Sequence, residues 1–324
     1  MRPIVLAQTL HENVPVTSQL ELSFIGVGAG HGVGMDQWGA RGRALAGESY
    51  QQILAAYYPG TTLTSTTDDS LVIRVRLNTG AVIQLPIARY VARVVSAEMP
   101  ASFPQAAKEA QAVASRTFAV HALNPAHPYD VTAGVDSQAF ATVARTDASQ
   151  AVADTTGQIL TFQGQVAFTP YFECGMGMTE SNQYVWSGTP LPYLQAHSDL
   201  DARGQPYSMG CPRASWSAGP FDQLMLSRIL GTHTQTDVGT VTNLLFHDRS
   251  PAGRWERVTV RGQSGQVDMS VALFRMIVNS QVDAAHTLFS SAFTVVWGNH
   301  TVHIGGDPTL ETLPAVPLVS FVGR

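Results

Sequence analysis

Two stretches of this 324-residue chain concentrate residue types that could do chemistry. In the first, GAGHGVGMDQWGARG (28–42), glycines alternate around His31 and lead into Asp36 and Gln37. Alternating glycines supply positive φ or a backbone that other groups can approach closely. They leave His31, Asp36 and Gln37 as the polar load of the loop. In the second stretch, SAEMP, Glu98 follows the apolar run YVARVVSA and precedes a helix rich in alanine. Partial desolvation in such a place raises a carboxyl's pKa towards the range of a general acid. The structural alternative is a glutamate that supports the positive N-terminus of the helix. Arg116 lies on that helix among Ala, Val and Phe, where a guanidinium is costly unless paired, so a partner is expected.

The glycine loop is not a nucleotide fingerprint. A dinucleotide site needs glycines at positions 1, 3 and 6, and from Gly26, Gly28 or Gly30 the sixth position is His31, Val33 or Met35. No Gly-Lys-Ser/Thr run is present, which excludes a P-loop. Cys174 and Cys211 are the two cysteines. They form either one disulfide, which suits an oxidising compartment, or two buried thiols. A thiol nucleophile at Cys174 would need a histidine and an activating cation nearby.

The elements that must position these residues follow from patterning. ELSFI (21–25) alternates and reads as a strand feeding the glycines. MDQWGARGRALAG and SYQQILAAYYPG have helical spacing, with Gly47 and Gly60 as stops. SLVIRVRLN and AVIQLPI, separated by Thr79 and Gly80, make a hairpin. Ser102 and Gln105 have the spacing of a capping box, with Pro104 in the first turn of a nearly buried helix through Ala107, Ala110, Ala114 and Phe118. Residues 129–200 read as short strands and loops. Beyond them, FDQLMLSRIL and VALFRMIVN are helical around the strand WERVTVRG, and SAFTVVW closes the chain before a Pro-spaced tail. The fold class expected is α+β: mixed sheets with a central buried helix and a β-rich second lobe, the lobes interleaved.

Composition narrows the partners. A net charge of −5 offers no basic footprint for nucleic acid, no apolar run approaches a membrane span, and a mean hydropathy of +0.03 is that of an ordinary globular protein. The apolar run near the start is about five residues, shorter than a signal-peptide core.

Three stretches carry a family resemblance. GAGHGVGMDQWGARGRALAGESYQQILAAYYPGT resembles the GHGVGMSQYGA and YYPGT signature of the stage II sporulation protein D family, also called the amidase-enhancer family. LPIARYVARVVSAEMPASFPQAAKEAQAVASRTFAV is similar to its EMP, KAQAVAARTYA segment, and YFECGMGMTESNQYVWSGTPLPYLQAHSD to its TE and VW segment. With GQILTFQGQVAF these cover most of residues 24–200; residues 201–324 match loosely. The resemblance implies an exported, cell-envelope protein that cleaves peptidoglycan glycan strands by lytic transglycosylation. One carboxyl then serves as acid and base, unlike hydrolases with a carboxylate pair. It implies Glu98 as that acid/base, and Arg116 orienting either Glu98 or the lactyl carboxylate of the substrate, against a purely structural ion pair. It also implies Gln111 in support and a groove lined by Gly30, His31, Gly32, Gly34 and Gln37. Glu180 is either a second carboxylate or a surface residue.

The same resemblance frames the chain as an N-terminal extension (1–20) before one catalytic domain (21–324). That domain comprises a glycine-loop segment (24–63), a glutamate segment (71–123), a β-rich segment (129–200) and an α/β part (201–324). In the family the glycine-loop segment follows the glutamate segment, whereas here it precedes it. A circular permutation accounts for this order and predicts that SAFTVVW lies beside LELSFIGVG, bringing the ends together. Some members hold a metal with His and Cys after a Tyr-Asp pair. Here the matching run, YDVTAGVDSQAF, has neither, and His121 and His127 lie elsewhere, so no metal and no cofactor are expected. The rival reading is a non-catalytic peptidoglycan-binding activator of a cell-wall amidase.

Overall fold

The computed structural model describes residues 11–19, 21–65, 68–134, 137–297 and 300–301, and over these the chain builds two hydrophobic cores. It starts in one of them with β1 (Glu12–Pro15) and β2 (Leu22–Val27), whose alternation buries Val14, Leu22 and Phe24. The glycine loop carries it into the other core through β3 (Met35–Asp36), α1 (Gln37–Leu45) and α2 (Tyr50–Tyr57). The Asp36 carboxylate caps α1 by accepting from the Gly39 N–H, and Ser49 with Gln52 forms a reciprocal capping box on α2. β4 (Thr62–Ser65) is followed by the expected hairpin of β5 (Val72–Arg76) and β6 (Val82–Pro86).

Two helices then build the centre of this core. α3 (Ile87–Glu98) ends on the residue of interest, and α4 (Gln105–His121) is buried on nearly all sides, as its small-residue pattern predicts. The expected capping box does not form. α4 starts at Gln105 with Pro104 as its N-cap and no side-chain cap, because a turn from Pro100 to the buried Phe103 leaves Ser102 two residues too early. Beyond β7 (Val131–Thr132), the stretch read as strand and loop contains a helix, α5 (Thr146–Asp154). β8 (Gln158–Phe162), β9 (Gln165–Val166), β10 (Tyr171–Phe172) and the short α6 (Asn182–Trp186) complete the lobe.

The chain then returns to the first core with β11 (Ser215–Phe221), α7 (Gln223–Leu230), β12 (Val241–Arg249), β13 (Trp255–Gly262), β14 (Gly265–Ser270) and α8 (Val271–Asn279). β15 (Phe293–Trp297) and β16 (His300–Thr301) close it. Two four-stranded sheets, ordered β1-β12-β13-β14 and β11-β2-β15-β16, form this lobe. β15 runs antiparallel to β2 with Val295 opposite Phe24, so SAFTVVW does lie beside the first strand of the glycine segment. The Pro-spaced tail lies outside the described residues, and no helix among the described residues is long and apolar enough to cross a membrane. The architecture is the mixed α+β one expected, with two lobes exchanged along the chain.

Phe24 is the hub of the β-rich core. Its fully buried ring meets Phe221, Phe246, Phe274 and Phe293 at centroid distances of 5.1–6.4 Å, mostly edge to face. Phe24→Ala should cost about 3–5 kcal/mol, read as a lower urea midpoint reported by the tryptophans of this lobe.

Candidate active site

The glycine loop is shaped by how closely it meets other backbone. Ala29 exchanges backbone hydrogen bonds with Cys174 (2.9 and 3.0 Å), and Met35 pairs in parallel with Tyr171. At Gly34, with φ of +79°, a Cβ would overlap the Pro170 carbonyl. At Gly32 a Cβ would stand 2.8 Å from the Arg254 guanidinium carbon. These two glycines, expected to make room for a ligand, make room for the protein itself, and Gly30 is the one of the three that lines a groove.

That groove has a volume of about 550 Å³, and its walls carry Trp38, Phe103, Tyr171 and Phe172 around His31, Gln37 and Glu98. Glu98, at the C-terminus of α3, is held at both oxygens. Oε1 accepts from the Ala139 N–H at 2.8 Å and Oε2 from Gln37 Nε2 at 3.1 Å. Gln37 Nε2 also donates to Gln111 Oε1 (3.4 Å), whose amide donates to Ser115 Oγ (3.0 Å). Burial raises the Glu98 pKa, and the nearby Glu173 charge adds to that rise. Hydrogen bonds from Gln37 and Ala139, with the nearby Tyr171 hydroxyl, work against it. The Tyr171 hydroxyl itself is buried and lacks a hydrogen bond of good geometry among the described residues. The result is a carboxyl held in place and biased towards its protonated form, as a proton donor requires.

His31 lines the same groove, with its ring against Phe172 and Trp186. Its Nδ1 accepts from the Val33 N–H at 3.0 Å, and burial, with the Arg254 charge, pushes its pKa down to about 3. His31 is therefore neutral and holds the loop's shape.

Arg116 has the partner its burial demands, and that partner is Asp69, the structural ion pair, rather than Glu98. Its side chain is fully buried and its guanidinium binds Asp69 Oδ1 (3.0 Å) and the carbonyls of Gln158 and Val152 (both 3.2 Å). None of its hydrogen bonds reaches Glu98, and the causes that shift the Glu98 pKa do not include its charge. Helical periodicity places both residues in the same region without fixing which way the guanidinium turns. Glu180 is likewise not at the surface. It is buried, accepts from the Ser181 N–H and from Ser250 Oγ, and its own N–H donates to the Gly32 carbonyl at 2.8 Å, so it anchors the glycine loop from outside the groove. In the YDVTAGVDSQAF run, Asp130 is bound to Arg74 and Gln138 accepts from Tyr90.

Sequence reasoning missed the aromatic walls, the Ala139 donor, and the pair Glu173–Arg213 at the rim. Trp38 and Glu173 each adjoin a residue already singled out, Gln37 and Cys174, and could have been found there. A backbone N–H carries no sequence signal, and Arg213 lies in the stretch with no clear motif. Cys174 and Cys211 form a disulfide, and each adjoins a groove-lining residue, Glu173 on one side and Pro212 on the other.

Two outcomes follow from this geometry. Arg116→Met should cost about 3–5 kcal/mol, because it strands Asp69 and the carbonyls of Gln158 and Val152, and urea denaturation would measure it. The second concerns pH. Glu12 and Asp36 are each raised to about 7 by burial, and Glu98 and Glu180 are raised as well, so the folded chain holds protons that the unfolded chain has released. His31 acts in the opposite sense, since its unfolded ring takes up a proton below about 6.5. The carboxyls outnumber it, and the melting temperature should fall as pH rises from about 5 to about 7.5. Scanning calorimetry across that range would check the sign.

Residues 76–162, which include Glu98, Gln111 and Arg116, match the family described as Stage II sporulation protein. The chain is similar to the Stage II sporulation protein D of Bacillus subtilis (strain 168), 29% identical over 178 residues, 49% of this chain and 50% of that protein. Its counterpart in Bacillus amyloliquefaciens is 28% identical over 187 residues, 52% of each chain. The Amidase enhancer of Bacillus subtilis (strain 168) is 61% identical over 49 residues, 15% of this chain and 7% of that protein. The chain thus spans about half the length of the sporulation relatives and a small part of the enhancer. These matches support the resemblance of the chain to the stage II sporulation protein D and amidase-enhancer family.

Proposed function

We propose that this protein is a peptidoglycan lytic transglycosylase acting outside the cytoplasm. The observation that carries the reading is Glu98, a carboxyl raised by burial and fixed by Gln37 and the Ala139 N–H in a groove with aromatic walls, on which sugar rings stack. Glu173, the other groove carboxylate, is occupied by Arg213, which leaves Glu98 as the proton donor.

In the reaction, the Glu98 carboxyl gives its proton to the glycosidic oxygen as the bond from that oxygen to the muramyl C1 breaks. The C6 hydroxyl oxygen of the same sugar bonds to C1 and returns its proton to the Glu98 carboxylate. A 1,6-anhydro end and a free hydroxyl on the leaving sugar result, with no water consumed. Gln37, itself bonded to Gln111, holds the carboxyl through both states. The disulfide favours an oxidising compartment, consistent with a cell-envelope location. The order of the segments is read as a circular permutation, which the pairing of β2 with β15 supports.

A second reading has its own observation, the name Amidase enhancer on a relative with 61% identity over 49 residues. In it the groove binds glycan without cleaving and the protein activates a cell-wall amidase. Mass spectrometry of peptidoglycan digests separates the two. The wild-type protein should give anhydromuramyl ends, and Glu98→Gln should lower their rate by about 10²–10⁴-fold, the usual worth of a positioned acid. Activity should also fall as pH rises through the elevated Glu98 pKa. Glycan binding without products in both proteins would favour the enhancer reading, and reducing ends would identify a hydrolase.

A further inference from the structure

We propose that Arg213 is the specificity residue of the groove, docking a carboxylate carried by the glycan. This rests on the reading of the groove as a glycan site. Arg213 lines the same groove as Glu98, and its side chain is 44% exposed. Its pairing with Glu173 is end-on: Nη1 alone donates to both carboxylate oxygens, at 2.5 and 2.6 Å. Nε and Nη2 have no hydrogen-bond partner among the described residues. That edge of a guanidinium matches a carboxylate through two parallel bonds.

The guanidinium is also held in place. It lies over the Phe289 ring at 4.6 Å, and its backbone N–H donates to Cys211 Sγ at 3.3 Å. The disulfide ties that turn to Cys174, next to Glu173. A cation with a fixed ring beneath it, a fixed carboxylate at one end and unused donors is organised for a ligand. The buried Arg116, spent on Asp69 and backbone carbonyls, is not available for the task. With Glu98 biased towards its protonated form and His31 neutral, Glu173 and Arg213 are the charged side chains that line the groove. A neutral glycan would leave the free donors of Arg213 unmatched, and an acidic one fills them.

The carboxylate can come from the lactyl group of a peptide-stripped muramyl residue or from a stem peptide. Binding by calorimetry to the Glu98→Gln protein, which removes turnover, distinguishes them with three glycans: peptide-stripped, the same with its carboxyls reduced to alcohols, and peptide-bearing. The stripped glycan should bind roughly 10- to 100-fold tighter than the reduced one, the range of a charge-assisted hydrogen bond. Adding Arg213→Gln should abolish that ratio while the reduced glycan binds as before, which also shows that the fold is intact. Arg213→Lys should restore part of it. Peptide-bearing glycan that keeps the Arg213-dependent gain assigns the stem carboxylate, and one that loses it assigns the lactyl group. The proposal is overturned if Arg213→Gln lowers neither the stripped-to-reduced ratio nor the affinity for the peptide-bearing glycan. If anhydro products form while Arg213→Gln changes neither quantity, this inference alone falls. If none of the glycans binds, the glycan reading falls and takes it along.

Discussion

The structure hinges on the close backbone contact between the glycine loop and residues 170–174. The hydrogen bonds of Ala29 with Cys174, the pairing of Met35 with Tyr171, and the fit of Gly34 over the Pro170 carbonyl fix where the loop ends. Because Asp36 and Gln37 follow at once, this contact sets the start of α1 and brings the Gln37 amide to Glu98, 61 residues away in sequence. Side chains at Gly32 or Gly34 would push the loop off Arg254 or Pro170 and displace the amide. The glycines serve the carboxyl indirectly, by letting two pieces of backbone touch.

The electrostatics of the groove depend on the same arrangement. An acid catalyst beside an arginine would have its pKa pulled down. Here the arginine on the neighbouring helix turns away to Asp69, and the groove's own arginine is partly neutralised by Glu173. The donors that reach Glu98 are neutral, an amide and a backbone N–H, so they orient the carboxyl without forcing it to ionise.

Much of this was legible in the sequence, for physical reasons that can be named. Alternation and glycine placement gave β2, the hairpin β5–β6 and both helices after the loop, because each rests on local periodicity and turn chemistry. Glu98, Gln37 and Gln111 were found through motifs, and they meet in one network. Directions and long-range partners were not legible. The guanidinium of Arg116 and the carboxylate of Glu180 each turn to a partner distant in sequence, Asp69 and Ser250, which no local pattern announces. The same limit hid Arg213, whose place in the groove depends on a disulfide and a ring from residue 289.

The pairing of β2 with β15 has a consequence for how the chain is made. The α-rich core draws on residues 33–194, a continuous stretch that can pack as soon as it leaves the ribosome. The β-rich core draws on Val14, Leu22 and Phe24 together with residues 216–295, so its first strands emerge well before the strands they pair with. Through that interval β2 is an apolar strand with two open edges, the kind of segment that pairs with other chains. The open edges close once β11 and β15 have emerged and paired with it.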